Sequence, residues 1–243
     1  MAKVVITGRI PAIAVEQLRA QHDVVSWDEP VAITREELLK RVKGADAIVS
    51  LLTEKVDAEL LDAAGPQLQV VSNVAVGYNN IDVPACNERN VLVTNTPGVL
   101  TEATADIAMA LILMSTRRLA EGERVIRKQE PWQWGMFYML GSGIQGNQLG
   151  IVGMGLIGAA VARRAKAFGM TIAYTKRSPL DAAIAKELDA KHMSMDELLA
   201  TSDVVSLHCP YSPETHHLMN AETIGKMKKS AYLINTARGP VVD

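Results

Sequence analysis

Three glycines in the second half of the chain have the spacing of a phosphate-binding turn. Gly153, Gly155 and Gly158 follow an apolar run at 149–152 and precede an alanine-rich segment at 159–165. The first glycine allows a tight turn, the second lets the backbone approach a pyrophosphate, and the third lets helix and strand pack closely. The N–H groups and positive dipole end of the helix then bind the phosphates. The alternative is a close-packed turn without a ligand, but the flanking strand and helix patterns favour a dinucleotide site.

The residues after the next predicted strand bear on which dinucleotide binds. An acidic residue there would bond the ribose 2′-hydroxyl of NAD, but the chain has Thr175, Lys176 and Arg177. Arginine makes charge-assisted, often bidentate bonds to phosphate, so this segment favours the 2′-phosphate of NADP. The two cations are alternatively ordinary solvated charges at a strand end. We therefore expect NADPH as the cofactor, with NADH as the other option.

Two other turns carry groups that suit a carboxylate. Arg238 lies three residues beyond the predicted strand 232–235, and open parallel sheets bind ligands at the carboxyl ends of their strands. Its guanidinium would hold a carboxylate and polarise an adjacent carbonyl, although a lone arginine after a strand is commonly a surface residue. Backbone N–H groups near Val76 and Gly77 would form an anion-binding nest. The alternative there is a simple strand–helix loop.

Alternating strands and helices in both halves would position these groups. A capping-box signature at Thr34 and Glu37, and the pair Gly65-Pro66, mark helix ends. Strand–helix alternation requires crossover connections and therefore parallel sheets. The predicted strands are 3–7, 24–27, 47–52, 68–73, 91–95, 149–152, 171–174, 204–208 and 232–235. The predicted helices are 11–21, 34–43, 56–63, 101–119, 156–168, 181–188, 195–199 and 221–226.

The predicted helix 101–119 is apolar almost all round, and the turn Pro97-Gly98 before it marks a domain boundary. A helix without a polar face must be covered on every side, by a second domain or by another subunit. We therefore predict two tandem α/β domains, at residues 1–98 and 99–243.

Composition excludes several classes of protein. The 243 residues are 48% hydrophobic and 21% charged, with a formal net charge of −2, as in a soluble globular protein without a nucleic-acid or membrane-surface role. The longest apolar run, residues 107–114, is far below the roughly 18 residues needed to span a bilayer. Cys86 and Cys209 have no metal-ligand spacing and suit a reducing compartment. A cytoplasmic enzyme fits best.

Five motifs occur in a fixed order along the chain: VGYNNID at 76–82, TEATAD at 101–106, GMGLIG at 153–158, HCP at 208–210 and NTARG at 235–239. Together they resemble the D-isomer-specific 2-hydroxyacid dehydrogenases. With the additional segment LLT at 51–53, the chain is most similar to the glyoxylate/hydroxypyruvate reductase branch. The resemblance covers the whole chain.

This resemblance implies two Rossmann-like parallel-sheet domains, one flavodoxin-like and one dinucleotide-binding, with a cleft between them. Val76 and Gly77 would offer backbone donors to the substrate carboxylate, Leu52 would line the pocket, and Arg238 would bind and polarise the 2-oxo acid. It also implies a homodimer formed through 101–119 and the loop 132–134. The implied cofactor contacts are Thr104, Gly153, Met154, Gly155, Leu156, Ile157, Gly158, Thr175, Lys176, Arg177, Cys209, Pro210, Thr236 and Ala237.

The chain also departs from the family pattern. Leu156 replaces a common arginine, which removes one phosphate contact but leaves the backbone cradle. Family members continue to a Glu and a His that act as the proton donor, whereas this sequence ends at Asp243. We expect none of the histidines at 22, 192, 208, 216 and 217 to replace that acid. General acid catalysis contributes about 10²–10⁴-fold, so this chain should bind cofactor and turn over slowly.

Three functions follow as expectations. The first is NAD(P)H-dependent reduction of glyoxylate or hydroxypyruvate to the D-2-hydroxy acid. The second is a catalytically silent NAD(P)-binding regulatory protein. The third is a dehydrogenase of another small anion, such as phosphite, on the same scaffold.

Overall fold

The computed structural model describes residues 1–243 and divides into two compact units, Met1–Val99 and Leu100–Asp243. Each unit contains one five-stranded sheet in which neighbouring strands run parallel. Helices flank both sheets. The predicted α/β class with two parallel-sheet units is confirmed.

The first unit follows a strict alternation of strand and helix. Its elements are β1 (Lys3–Ile6), α1 (Ala12–Arg19), β2 (Asp23–Ser26), α2 (Arg35–Arg41), β3 (Ala47–Ser50), α3 (Ala58–Ala64), β4 (Val70–Asn73), α4 (Val83–Glu88) and β5 (Leu92–Thr94). The strand order β2-β1-β3-β4-β5 is that of flavodoxin-like sheets. Buried aliphatic residues of β1, β3 and β4 form the core with α2, α3 and α4.

Short polar side chains begin helices in this unit. At the start of α2, Thr34 Oγ1 accepts the backbone N–H of Glu37 at 3.3 Å. The predicted capping box is only half formed, because the Glu37 carboxylate binds Arg41 at 2.6 Å instead. The Asp82 carboxylate caps α4 by accepting the Ala85 N–H. α4 was not predicted, since six residues are too few to show a clear helical period.

The second unit repeats the alternation. It contains α5 (Thr101–Thr116), α6 (Leu119–Arg127), β6 (Gln148–Val152), α7 (Leu156–Ala167), β7 (Thr171–Thr175), α8 (Ala182–Leu188), β8 (Ala190–His192), α9 (Met195–Thr201), β9 (Val204–Leu207), α10 (Ala221–Gly225) and β10 (Tyr232–Asn235). The strand order β10-β9-β6-β7-β8 matches the first five strands of dinucleotide-binding folds. The order reverses between β6 and β9, which is the point where such sheets bind ligands.

The single helix predicted at 101–119 is two helices. Arg118 has a left-handed φ of 54°, which ends the α-helical path between α5 and α6. No glycine or proline marks this break, so the sequence gives no local signal for it. Within the single chain, Ile107 and Met114 on α5 are 57% and 40% exposed, so residues of the same chain do not cover this face of the helix. Cover by another subunit stays a prediction. No helix has both the length and the apolar character needed to cross a membrane.

Candidate active site

The carboxyl ends of four strands in the second unit lie in register. Val152 of β6 pairs with Thr175 of β7 and with Leu207 of β9, and Leu207 pairs with Asn235 of β10. The segments that follow these strands therefore meet at one edge of the sheet. They contain most of the predicted cofactor contacts and the candidate arginine: 153–158, 176–177, 208–210 and 236–238.

The glycine turn after β6 is shaped by close contacts at its first and third glycines. Gly153 has a φ of 93°, and a Cβ there would lie 2.5 Å from the backbone nitrogen of Cys209. A Cβ at Gly158 would lie 2.6 Å from the carbonyl oxygen of Gly153. A Cβ at Gly155 would meet nothing within 4 Å. The turn thus packs tightly against the residues that follow β9 and leaves open space at its middle glycine.

The start of α7 offers unbound donors beside this space. The backbone N–H groups of Leu156 and Ile157 donate to no acceptor in the chain. The Leu156 side chain is 68% exposed, whereas Met154 is buried in the core and has only its backbone to offer a ligand. Free N–H groups at a helix start, next to a glycine with open space, fit the pyrophosphate of a dinucleotide.

Two exposed cations follow β7. Thr175 is half-buried, while Lys176 and Arg177 are exposed. The hydrogen bond from Ser212 lowers the pKa of the Glu214 carboxyl, and the positive charge of Arg177 contributes to the same shift. Arg177 therefore lies within electrostatic reach of the Glu214 carboxylate.

His208 joins the ends of β9 and β10. Its Nε2 lies 2.8 Å from Ser206 Oγ, and its Nδ1 lies 3.1 Å from Thr236 Oγ1. Burial lowers the pKa of His208 to about 4, so the ring is neutral near pH 7. A neutral ring with both nitrogens engaged holds two strand ends together and is a poor proton donor.

The Arg238 turn is fixed by the side chain of Asn235, which was not predicted as a site residue. Asn235 accepts the Ala237 N–H at 3.0 Å and donates Nδ2 to the Arg238 carbonyl at 2.9 Å. The Arg238 side chain is half-buried and donates Nη1 to the Ala237 carbonyl at 2.8 Å. Asparagine commonly stabilises such turns, which is the signal that could have identified Asn235.

The other predicted cofactor contacts lie in the same unit. Cys209 is half-buried, and burial raises the pKa of its thiol, which keeps it protonated. Pro210 is exposed beside it, and Thr104 is half-buried in the first turn of α5.

In the first unit, the predicted substrate residues follow two adjacent strands. Ser50 at the end of β3 is in register with Asn73 at the end of β4. Leu52, in the loop after β3, is 42% exposed, and Val76 and Gly77 lie in the loop after β4. A cavity of about 750 Å³ between α1 and the strands of the sheet is lined by none of these residues.

Comparison with known proteins places these features in one family. Residues 109–243 match the family model described as the NAD binding domain of D-isomer specific 2-hydroxyacid dehydrogenases. The chain is 46% identical to a glyoxylate reductase of Thermococcus onnurineus over 246 residues, which cover 99% of this chain and 73% of that protein.

Solved structures show the same fold over nearly the whole chain. The TT0316 protein from Thermus thermophilus is 42% identical with a TM-score of 0.91, covering 99% of this chain and 75% of that one. A glyoxylate reductase from Paecilomyes thermophila is 34% identical with a TM-score of 0.89, covering 100% and 75%. The chain is therefore a member of the D-isomer specific 2-hydroxyacid dehydrogenase family, an oxidoreductase that uses a nicotinamide dinucleotide.

Proposed function

We propose that this protein reduces small 2-oxo acids, glyoxylate and hydroxypyruvate, to the corresponding D-2-hydroxy acids with NADPH as the preferred cofactor. The observation that carries the proposal is the alignment of strand ends in the second unit. That alignment brings the glycine turn and the Arg238 turn to the same sheet edge. The relatives described above as glyoxylate reductases support this substrate class.

In the proposed reaction, NADPH would supply the hydride, water would supply the proton that the alkoxide takes up, and the protein supplies charge and orientation. Arg238 binds the 2-oxo acid and stabilises the negative charge that develops on its carbonyl oxygen. Val76 and Gly77 donate backbone N–H groups to the substrate carboxylate, and Leu52 provides an apolar wall. His208 takes no part in proton transfer, because its ring is neutral and engaged at both nitrogens.

The preference for NADPH rests on the segment 175–177, at the end of β7. It offers a hydroxyl and two cations where an NAD-specific site would offer a carboxylate. Thr175, Lys176 and Arg177 would bind the 2′-phosphate, with Arg177 making the strongest, charge-assisted bond.

We also propose that the protein is a cytoplasmic homodimer. Both cysteines, Cys86 and Cys209, are free thiols, which suits a reducing compartment. The exposed apolar face of α5 would pack against a second copy, as the interfaces of stable oligomers do.

A single-turnover assay tests the reaction even when turnover is slow. The protein is mixed with NADPH, with the protein in molar excess. The absorbance of NADPH is then followed after glyoxylate or hydroxypyruvate is added. We expect one glycolate or D-glycerate to form for each NADPH oxidised. Tight NADPH binding without oxidation by either acid would favour the regulatory alternative. Reduction of NADP by phosphite, without activity on 2-oxo acids, would favour the third.

A further inference from the structure

Two asparagine side chains bind consecutive carbonyl groups in the loop after β4. Asn95 Nδ2 donates to the Val76 carbonyl at 2.8 Å, and Asn73 Nδ2 donates to the Gly77 carbonyl at 2.9 Å. Asn73 belongs to β4, whereas Asn95 follows β5, the neighbouring strand. The loop is thus held by side chains from two different strand ends.

A third carbonyl of the same loop is also held. The Ala75 carbonyl accepts the backbone N–H of Thr96 at 2.9 Å. A trans peptide is planar, so each N–H points away from the carbonyl of its own peptide group. The three bonds therefore direct the N–H groups of Val76, Gly77 and Tyr78 away from the atoms that hold the loop. None of these three N–H groups donates to an acceptor in the chain.

Buried contacts fix the Asn73 amide in this orientation. Asn73 is fully buried, and its Oδ1 accepts the Ser50 hydroxyl at 3.1 Å. Its Nδ2 also lies 3.3 Å from Asn80 Oδ1. Asn80 in turn donates Nδ2 to the carbonyls of Leu51 and Glu54, each at 3.0 Å. The loops after β3 and β4 are therefore tied into one polar network.

We propose that Asn73 and Asn95 are positioning residues for substrate recognition. By holding the loop carbonyls, they keep the N–H groups of Val76, Gly77 and Tyr78 preorganised for the carboxylate of the 2-oxo acid. This inference rests on the proposed function and adds Tyr78 to the backbone donors already assigned. A preorganised donor set binds an anion without a cost for ordering the loop.

The competing explanation is that these amides merely satisfy buried carbonyl groups. The two explanations differ in what a substitution would change. A purely structural amide affects stability alone, whereas a positioning amide affects recognition of the substrate carboxylate. The contacts to the substrate carboxylate are equally strong in the ground state and in the transition state. Their loss therefore raises KM more than it lowers kcat.

Asn95 is the better test site, because it is only half-buried and its side chain binds the loop directly. We expect Asn95→Ala to raise the KM for glyoxylate about tenfold, the effect of weakening a hydrogen bond to a charged group. Asn95→Asp should raise it further, because a carboxylate cannot donate to the Val76 carbonyl and repels the substrate anion. The Kd for NADPH should stay unchanged, since the glycine turn belongs to the second unit.

Asn87→Ala is the matched control, because Asn87 is an exposed asparagine on α4 of the same unit. A second readout uses 15N-labelled protein with NADPH, to which oxamate is added as an unreactive 2-oxo acid analogue. We expect the amide signals of Gly77 and Tyr78 to shift in the native protein and to shift less in Asn95→Ala.

The outcomes separate the two proposals. Failure of the native protein to oxidise NADPH with glyoxylate, and to bind oxamate, would overturn the proposed function and this inference with it. If the native protein is active but Asn95→Ala matches Asn87→Ala in KM, only the positioning role is wrong. The positioning role is also wrong if Asn95→Ala and Asn95→Asp raise the Kd for NADPH by the same factor as the KM for glyoxylate and also lower the free energy of unfolding. Such a result would mean that the substitutions disturb the whole protein.

Discussion

The Arg238 guanidinium presents parallel N–H donors, which can engage a carboxylate and a neighbouring carbonyl together. A lysine keeps the charge at this position but offers a single ammonium on a flexible chain. We therefore expect Arg238→Lys to lower kcat/KM for glyoxylate by about 10²-fold, as for the loss of one oxyanion donor. NADPH binding should be preserved. Stopped-flow single turnovers and NADPH fluorescence titrations measure the two effects separately.

Arg163→Lys provides the control for this substitution. Arg163 forms a surface ion pair with Glu187, and such pairs contribute little to stability. The assigned role of Arg238 would be refuted if both variants reduced glyoxylate at the native rate.

We expect Arg177 to set the preference of the protein for NADPH over NADH. Its loss should weaken NADPH binding about 10–100-fold, because a hydrogen bond to a charged group is worth about 1.5–3 kcal/mol. NADH lacks the 2′-phosphate, so its Kd should change little. Fluorescence titration of Arg177→Ala with both cofactors makes the comparison. Lys229→Ala removes one exposed charge from the same unit as a control, and equal losses for NADPH and NADH in Arg177→Ala would contradict the argument.

We expect His208 to make the stability of the protein depend on pH. Burial lowers its pKa from 6.5 to about 4, so below pH 6.5 the unfolded chain binds a proton that the folded chain does not. The stability from this group is complete above pH 6.5 and is lost as pH falls towards 4. At 1.36 kcal/mol per pKa unit, the free energy of unfolding should drop by up to about 3 kcal/mol across this range.

Urea unfolding of the native protein and of His208→Gln, at several pH values from 7.5 to 4, would measure this contribution. The glutamine amide can still donate to one hydroxyl and accept from the other, but it does not titrate. The native protein should therefore lose its advantage over the variant as pH falls. If the two unfolding free energies decline in parallel with pH, His208 is not the group responsible.

At the scale of elements, the glycines between β6 and α7 are expected to serve different purposes. Gly155 leaves space for the cofactor, whereas Gly158 allows the turn to pack. Gly155 has a φ of −92° and open space where a Cβ would lie, so Gly155→Ala should leave the free energy of unfolding unchanged. Its methyl group would occupy the space proposed for the pyrophosphate. Overpacking of this kind costs about 1–3 kcal/mol, which corresponds to about 10–100-fold weaker NADPH binding.

Gly158→Ala should produce the opposite pattern. A Cβ at Gly158 would lie 2.6 Å from the Gly153 carbonyl oxygen, so the turn or helix must shift. We expect the free energy of unfolding to fall by about 1–3 kcal/mol. Urea denaturation and NADPH titration of both variants test the pair, and a destabilised Gly155→Ala with native affinity would refute the role given to Gly155.

Much of this architecture could be predicted because its signals are local. The β10 strand at Tyr232–Asn235 has the predicted bounds, and the glycine turn joins a strand to a helix as expected. Elements without a local signal were missed. The three residues of β8, Ala190–His192, are too few to show a period, and the break between α5 and α6 falls at Arg118, which no turn residue marks.

The supporting residues of the candidate site were harder to predict for a different reason. Asn95 acts on the Val76 carbonyl, 19 positions away, and Asn73 is fixed by Ser50, 23 positions away. Hydrogen bonds from a side chain to a group far away in the sequence leave no periodic trace in that sequence. Arg238 and the glycines could be found because their own residue types carry the chemistry.

At the scale of the whole molecule, large apolar side chains are exposed along one stretch of the second unit. On α5, Ile107 and Met114 are both exposed and lie two turns apart, so they share one face. The rings of Trp132 and Tyr138 stack with their centroids 6.0 Å apart. Monomeric soluble proteins rarely expose large contiguous apolar patches, so this stretch is a candidate interface. Other exposed members of the stretch are Leu119, Ile126, Trp134, Met136, Phe137 and Leu140.

If this surface forms a homodimer, a charge at its centre should separate the subunits. Ile107→Arg would bury an unpaired guanidinium in the interface, which costs several kcal/mol per subunit. Sedimentation equilibrium should give twice the chain mass for the native protein and the single-chain mass for Ile107→Arg. Ile13→Arg is the matched control, because Ile13 on α1 is 64% exposed in the first unit. The homodimer proposal is wrong if the native protein sediments as one chain. The assignment of the interface to this face of α5 is wrong if Ile107→Arg remains a dimer.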